Sequence, residues 1–276
     1  MKLWVLGSGS RGNAVVVESG ECRVLIDAGF GPRILQKRMQ SVGINPESIE
    51  ACVITHEHSD HLRGAIRAAR RWKWQLFATH GTVRHSRLGQ QPFVAFMGRP
   101  VTAFQAGATL TFSALEVTTF RTPHDAAEPV GIIVTARSTG ARAAVCTDIG
   151  YASKNVRELV KDVDILVLES NHDEQMLWNG PYPPWLQRRI ASNTGHLSNR
   201  ACAELVRESV TPQLRQIVLA HLSEKNNTPM VAYESMRNAV RRTAFRGALI
   251  PALQDAVVGP FIPIGIRVPE QLTLAM

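Results

Sequence analysis

The chain lacks the features of several protein classes. Its four cysteines are scattered with no C-x-x-C pair, and three of them lie in apolar, strand-like segments. No apolar run approaches the length of a membrane span, and the amino terminus reaches Gly7 too soon for a signal peptide. Repeats and low-complexity linkers are also missing. We therefore expect reduced thiols, a cytoplasmic location and one domain over residues 1–276, with an apolar, proline-rich tail at 260–276 that has no assigned role.

The chain is also short of acidic residues relative to basic ones. Lys and Arg number 31 against 23 Asp and Glu, a formal net charge of +8, which favours a polyanionic partner such as nucleic acid. Five basic residues follow one another on a predicted helix from Leu62 to Trp74: Arg63, Arg67, Arg70, Arg71 and Lys73. They could track a phosphate backbone while Trp72 or Trp74 stacks on a base. The alternative is a solvated basic face with both tryptophans in the core.

The most informative segment is His-Glu-His-Ser-Asp-His, which places His56, His58, Asp60 and His61 within six residues. It follows the apolar run Cys52–Thr55, a predicted strand, and precedes the predicted helix. Neutral imidazoles with a carboxylate suit Zn, Mn or Fe better than Ca or Mg. The alternative is a polar loop that caps a helix. Six residues cannot complete two sites, so further ligands are needed from elsewhere.

Three candidate ligands lie where later apolar strands end: His124, Asp148 and His221. In order and spacing the set resembles the metallo-β-lactamase superfamily, whose pattern is H-x-H-x-D-H, then His, a bridging Asp and His, with an earlier Asp matched by Asp27. The sequence pattern itself indicates a layered α/β domain, and the resemblance implies a four-layer αββα sandwich. It also implies two divalent cations, Zn foremost, with Mn or Fe as alternatives. One would be held by His56, His58 and His124, the other by Asp60, His61 and His221, with Asp148 bridging and Asp27 supporting from behind.

Two further residues distinguish among the reactions of this superfamily. Glu169 ends the apolar run Leu166–Leu168, and His196 precedes a predicted helix at Asn199. They resemble the pair of the tRNase Z-type phosphodiesterase branch, in which a strand-end Glu orients a His that protonates the departing alkoxide. A phosphodiester needs such an acid because an alkoxide leaves poorly. The alternatives are a surface charge and an ordinary polar residue at a helix start.

Several longer motifs narrow the resemblance to one family. Segments 8–13, 124–131, 168–173, 195–199 and 219–224 together resemble the bacterial YycJ/WalJ metallohydrolases. The resemblance implies 5′-to-3′ exonuclease action on DNA. In this mechanism a hydroxide bridging the metals attacks the phosphate, Asp60 orients it, and His196, aligned by Glu169, protonates the leaving oxygen. The stretch from Asp148 to His221 is too short for the inserted domain of β-CASP nucleases.

Polar residues near these motifs are candidates for contact with substrate. The five substrate-binding candidates are Asn13, Arg188, Arg189, Ser198 and Asn227, and three further pocket candidates are Asp125, Glu128 and His172. For Asn227 the alternative is that Thr228-Pro229 is simply a helix N-cap followed by proline at N1.

Two other functions remain open at this point. One is a phosphodiesterase for small substrates, such as a cyclic phosphodiester. The other is a regulatory module that uses the metal fold only to bind a partner. A binding role would not require seven ligands and an acid, which disfavours the module.

Overall fold

The computed structural model describes residues 1–98 and 100–263, whose strands form two mixed sheets of seven strands each. The strands of the first sheet are β1 (Lys2–Gly7), β2 (Ala14–Ser19), β3 (Cys22–Ile26), β4 (Ala51–Ile54), β5 (Gln75–Thr79), β6 (Thr102–Phe104) and β14 (Val258–Phe261). Those of the second are β7 (Thr109–Thr111), β8 (Leu115–Arg121), β9 (Val130–Ala136), β10 (Arg142–Cys146), β11 (Ile165–Glu169), β12 (Gln216–Ala220) and β13 (Ala248–Pro251). The orders are β14-β1-β2-β3-β4-β5-β6 and β13-β12-β11-β10-β9-β8-β7.

Helices cover the outer faces of both sheets. They are α1 (Pro32–Gln40), α2 (Ser59–Leu62), α3 (Ala65–Trp72), α4 (His80–His85), α5 (Gln91–Met97), α6 (Lys154–Leu159), α7 (Glu174–Trp178), α8 (Pro184–Ile190), α9 (Asn199–Ser209) and α10 (Pro229–Val240). The predicted helix from Asn199 to Ser209 is confirmed as α9, and Ser198 caps it by accepting a hydrogen bond from the Ala201 N–H. Thr228 likewise caps α10, with Pro229 in its first turn.

Side chains point alternately to the two faces of each strand, and this alternation produces the layers. Leu3 and Val5 of β1 pack in the cluster shared by both sheets, whereas Trp4 and Leu6 pack beneath helices on the other face. A third cluster packs the second sheet against its own helices. Apolar layers thus separate helices, sheet, sheet and helices, and the predicted αββα sandwich is confirmed.

The ligand candidates share one edge because of strand direction. Within each sheet, parallel pairing joins β3 to β4 and β10 through β12. The segments after β3, β4, β10, β11 and β12 therefore emerge at the carboxyl ends of parallel strands, where α/β folds commonly place their sites. Asp27, His56, Asp148 and His221 lie within two residues of those ends, and Glu169 is the last residue of β11.

One sequence prediction is wrong in detail, and another concerns a segment that the structure describes only at its start. The helix predicted from Leu62 to Trp74 is broken at Gly64, where a Cβ would collide with the carbonyl oxygens of Phe30 and Ala28. The tail predicted from residue 260 starts inside β14, which pairs with β1 through Leu3 and Phe261. Residues 264–276 of that tail lie outside the described residues.

Candidate metal centre

The H-x-H-x-D-H segment spans the turn after β4 and the first residues of α2, and is called the ligand turn below. Backbone hydrogen bonds hold it against neighbouring loops, from the Asn13 N–H to the Asp60 carbonyl and from the Ala28 N–H to the His61 carbonyl. His56 and His61 are 1% and 0% exposed, so both imidazoles are directed inward. The turn therefore presents several ligand atoms to the interior from one short stretch of chain.

Two triads of ligand atoms lie at this turn, and they match the two predicted sites. His56, His58 and His124 form one triad, with His58 Nδ1 3.2 Å from His124 Nε2. The second triad consists of Asp60, His61 and His221. Its Asp60 Oδ2 lies 3.2 Å from His221 Nε2 and 3.3 Å from His61 Nε2.

Asp148 lies between the triads. Its Oδ2 is 3.0 Å from His61 Nε2, and its Oδ1 is 3.6 Å from His124 Nε2. Burial alone would raise the pKa of Asp148, but the surrounding histidines, His221 foremost, hold it well below its usual range. The carboxylate is thus ionised and reaches both triads, as a bridging ligand must.

The chemistry of these donors fits divalent cations. His56 Nε2 and Asp148 Oδ2 are fully buried, and neither makes a hydrogen bond of acceptable geometry, although Asp148 Oδ2 lies close to His61. Unpaired buried polar atoms are costly unless something else binds them. Five imidazoles with two carboxylates are a donor set suited to Zn, Mn or Fe.

Hydrogen bonds orient three of the imidazoles. Nδ1 of His61 lies 2.7 Å from Asp27, Nδ1 of His124 lies 3.0 Å from the Gly195 carbonyl, and Nδ1 of His221 lies 2.8 Å from Glu169. In each ring Nε2 is left to face the centre, which is how metal-binding histidines are commonly held. Asp27 accordingly occupies the supporting position predicted for it, and also accepts a hydrogen bond from the Thr55 N–H.

Strained backbone accompanies the cluster. Asp27, Asp148 and His221 have φ values of 61°, 58° and 54°, in the left-handed region that costs energy for residues other than glycine. Such residues concentrate at functional sites, where the surrounding contacts hold them in place.

Glu169 and His196 form the predicted pair. His196 Nδ1 lies 2.8 Å from Glu169 Oε1, while Glu169 Oε2 accepts hydrogen bonds from the Ile149 and Leu197 N–H groups. Burial raises the pKa of Glu169, but the charge of His196 and the hydrogen bonds with His196 and His221 lower it to about 2. Burial likewise lowers the pKa of His196, but the Glu169 carboxylate raises it by more, so the net shift is upward. The Glu169 carboxylate therefore favours the protonated form of the imidazole that lies beside the triads.

The predicted substrate-binding residues separate into two groups. Arg189 is exposed, and its Nε donates to Asp125 at 2.6 Å beside His196; Arg188 is exposed on the same helix. Asn13, by contrast, is buried and lies 3.2 Å from Asp60 Oδ2, which places it beneath the ligands. The Ser198 side chain caps α9. The Asn227 amide donates to the carbonyls of Ser170 and Asn171. Ser198 and Asn227 therefore have structural roles, and we do not include them in the substrate site.

The three pocket candidates differ in the same way. Asp125 lines a pocket with His196. Glu128 instead anchors two loops by accepting from the Gly81 and Ala106 N–H groups. His172 is 2% exposed, and burial lowers its pKa to about 4.

In the basic segment the structure places both tryptophans in the core and the charged side chains on the solvated face. Trp72 and Trp74 are 7% and 0% exposed, and the Trp74 indole N–H donates to the Pro46 carbonyl. Indoles this deeply buried do not stack on a base, so the alternative that placed both tryptophans in the core is confirmed. The basic side chains beside them are exposed.

Two hollows adjoin the ligand turn. The smaller, of about 250 Å³, is lined by His196, Asp125, Arg189, Tyr182 and Asn171 among others. The larger, of about 830 Å³, lies between α3 and α5 and begins at Glu57 and Ser59 of the turn itself.

Sequence reasoning missed several residues of the site. Thr55 donates through Oγ1 to Asp27 and lies 3.1 Å from His56 Nδ1. Asn171 donates to the His221 carbonyl. Thr55 stands directly before His56 and Asn171 lies in the motif segment 168–173, so their positions were usable signals, whereas Tyr182 gave none.

A family model described as "Beta-lactamase superfamily domain" matches residues 22–222, so the chain belongs to this superfamily. Among its relatives, Exodeoxyribonuclease YycJ of Bacillus anthracis is 32% identical over 247 residues, covering 87% of this chain and 89% of that protein. Exodeoxyribonuclease WalJ of Streptococcus pneumoniae is 31% identical over 241 residues, covering 86% and 87%. The resemblance to the YycJ/WalJ family is thereby confirmed, as is the prediction of a hydrolase.

A solved structure confirms the fold independently. Zn(2+)-bound PqqB from Methylobacterium extorquens aligns with a TM-score of 0.68 over 94% of this chain and 100% of its own, at 17% identity. At that identity the likeness concerns the fold alone. None of the helices in the described part of the chain is both long and apolar enough to cross a membrane.

Proposed function

We propose that the protein is a nucleic-acid phosphodiesterase, specifically a 5′-to-3′ DNA exonuclease of the cytoplasm. The observation that carries the proposal is the hydrogen bond between Glu169 and His196, which sets an acid beside two ligand triads. Thioester cleavage has less need of an acid, because a thiolate departs more readily than a sugar alkoxide. The exodeoxyribonuclease names of the two relatives support the same choice.

We propose two divalent cations per chain, Zn first, with Mn or Fe also suited to these donors. His56, His58 and His124 would hold one, Asp60, His61 and His221 the other, and Asp148 would touch both. When bound, such cations supply hydroxide at neutral pH and offset the charge of the phosphate.

The chain's own residues complete the reaction. The Asp60 carboxylate, at the edge of the second triad, orients the attacking oxygen. As the bond between phosphorus and the 3′-oxygen breaks, the electron pair passes to that oxygen, and His196 donates its Nε2 proton to it. Glu169 holds Nδ1 of the same ring and keeps Nε2 directed at the substrate.

The size of the pocket beside His196 supports the proposed 5′-to-3′ direction of cleavage. In cleavage that leaves 5′-phosphates, the leaving 3′-oxygen belongs to the nucleotide on the 5′ side of the broken bond. That nucleotide must therefore lie on the side of the acid. A pocket of about 250 Å³, at the lower end of small-ligand sites, suits one terminal nucleotide and not a polymer. Arg189 would bind its phosphate, with Arg188 nearby.

The same pocket size also favours the second candidate, a phosphodiesterase of small or cyclic substrates. The experiment is to load the protein with Zn or Mn and offer DNA labelled at either end, RNA and a cyclic phosphodiester. We expect 5′-mononucleotides released from the 5′ end of DNA. Cleavage of the cyclic compound alone would establish the second candidate, and cleavage of neither would favour the binding module.

A matched pair of variants tests the ligands. Asp148→Ala and His58→Ala should abolish turnover and lower the metal content below the two ions per chain expected for the unchanged protein. Exposed Arg242→Ala is the control, since Arg242 lies in the turn after α10 and belongs neither to the ligand triads nor to the pocket beside His196. Full activity in either ligand variant, or no metal after reconstitution, contradicts the two-cation proposal.

A further inference from the structure

The groove between α3 and α5 is the larger hollow beside the ligand turn. It begins at Glu57 and Ser59, which alternate with the ligands His56, His58 and Asp60, and extends to Phe93 and Phe96 on α5. Anything that fills this groove therefore reaches the metal centre without crossing other parts of the surface.

Within the described part of the chain, the arginines of the groove have no acidic partner. Arg63, Arg67 and Arg87 line it, and no carboxylate of residues 1–98 or 100–263 forms an ion pair with any of the three. Arginines on other faces are paired, as Arg157 is with Glu208 and Arg200 with Glu174. Unpaired guanidinium groups lining a hollow attract an anion.

Among the described residues that line the groove, the one acidic residue, Glu57, is outnumbered by three arginines. Both carboxylate oxygens of Glu57 are occupied, Oε1 by the Ala127 N–H at 2.7 Å and Oε2 by the Thr82 hydroxyl at 3.4 Å. Glu57 thus ties the ligand turn to two neighbouring loops.

Aromatic rings alternate with the cations. Phe96 is 41% exposed, and the Arg70 guanidinium lies 3.9 Å from its ring centroid. Arg87 lies 5.5 Å from the Phe93 ring. Exposed phenyl rings bordered by arginines are the combination with which proteins bind unpaired bases and their phosphates together.

We propose that this groove binds the retained strand of the substrate as single-stranded DNA, on the 3′ side of the bond that is cut. Arg63, Arg67 and Arg87 contact its phosphates, and Phe96 stacks on a base. The inference rests on the proposed function, because the departing nucleotide fills the pocket beside His196 and leaves this groove for the rest of the strand. A single strand is favoured over a duplex because only an unstacked base exposes its face to a phenyl ring.

Binding measurements test the groove apart from catalysis. The probes are 3′-fluorescein oligothymidylates of two and twelve nucleotides with phosphorothioate linkages, added to the metal-loaded protein. The variant R63Q/R67Q/R87Q is compared with R207Q/R241Q/R242Q, which removes three exposed positive charges from α9 and the end of α10.

We expect the groove variant to lose about tenfold or more in affinity for the 12-mer and far less for the 2-mer. Its salt slope should fall by about 2, since each lost phosphate contact removes about 0.7 for single strands.

The phenyl ring has its own test. Phe96→Ala should weaken binding of the 12-mer several-fold, and Phe96→Tyr should restore it. Poly-glutamate, which carries charge without bases, should compete poorly with the 12-mer. Photo-crosslinking with 5-iodouracil at the fourth nucleotide should label α5, whereas at the first it should label the segment around Tyr182.

The outcomes separate this proposal from the function on which it rests. Equal loss in the two triple variants, or poly-glutamate competing as well as DNA, would overturn the groove even if DNA is cleaved. A groove-specific loss in a protein that cleaves only a cyclic phosphodiester would leave the groove standing and overturn the exonuclease.

Discussion

At the scale of single residues, one carboxylate links the acid to a ligand. Glu169 Oε1 lies 2.8 Å from Nδ1 of both His196 and His221. The family resemblance implied only the contact between Glu169 and His196. The second means that Glu169 also sets the orientation of a ligand in the second triad, so substitutions of His196 and Glu169 should have different consequences.

His196→Ala should slow DNA cleavage by about a hundredfold or more, because the 3′-alkoxide then leaves without a proton. A p-nitrophenyl phosphodiester, whose phenolate leaves unaided, should be affected much less. A general acid works in its protonated form, and Glu169 raises the pKa of His196. The unchanged protein should therefore stay active at neutral pH and lose DNA cleavage as the pH rises through that raised value. The variant should lack this alkaline limb.

Metal content is the control for that variant. Asp148, Glu169, His196 and His221 also come close enough together to hold a cation by themselves. Two ions retained in His196→Ala would agree with the acid, whereas the loss of one ion would make His196 a ligand and remove the main support for phosphodiester chemistry.

Glu169→Gln should reduce both rate and metal affinity. Removing the charge behind a metal-binding histidine typically costs 10–100-fold in affinity or activity, and here it affects His221 as well as His196. Titration with a chelator should show one weakened ion, and DNA cleavage should fall even when metal is in excess. Unchanged affinity with a reduced rate would confine Glu169 to the acid.

At the scale of elements, the ligand turn depends on a helix break. Gly64 separates α2 from α3, and its N–H donates to the Ala28 carbonyl at 2.8 Å. Arg63 and Arg67, on either side of Gly64, border the groove, while Trp72 packs in the core.

Gly64→Ala should destabilise the protein by about 1–3 kcal/mol, the usual cost of forcing an extra carbon into a packed site. The new methyl group would overlap the Phe30 carbonyl, which cannot move without disturbing the loop that carries Asp27. Gly31→Ala is the matched control, since a Cβ there meets nothing within 4 Å. Urea unfolding would measure both, and equal midpoints would contradict the steric argument.

The elements also show what the sequence could reveal. Helix α9 and the strands ending near Asp148 and His221 were predictable because apolar periodicity and caps are local signals. The break at Gly64 was not, because it depends on Phe30, far away in the chain. The groove was not predicted either, since the segment from 75 to 104 carries α4 and α5 without a strong periodic pattern. Pairing of β14 with β1 joins the two ends of the described chain and leaves no local trace.

At the scale of the whole molecule, the ligands come from both sheets. His56, His58, Asp60 and His61 follow β4 in the first sheet, whereas His124, Asp148 and His221 follow strands of the second. Each triad draws from both: His124 completes the first and His221 the second. The cations would therefore tie one sheet to the other at the edge where the connecting loops meet.

Removing metal should consequently lower the thermal stability of the entire fold, beyond its effect on activity. A ligand that binds only the native state stabilises it by RT ln(1 + [L]/Kd), about 4 kcal/mol at a thousandfold excess over Kd. Scanning calorimetry of the protein with and without chelator should show a large drop in Tm that added Zn reverses. In His58→Ala and Asp148→Ala the chelator should have a smaller effect, because those proteins have already lost a link. If the chelator leaves Tm unchanged while activity disappears, the cations serve the reaction alone. Hydrogen bonds that cross between the two halves then suffice to hold the site together, such as the His221 N–H donating to Ser8 Oγ and the Ala127 N–H donating to Glu57 Oε1.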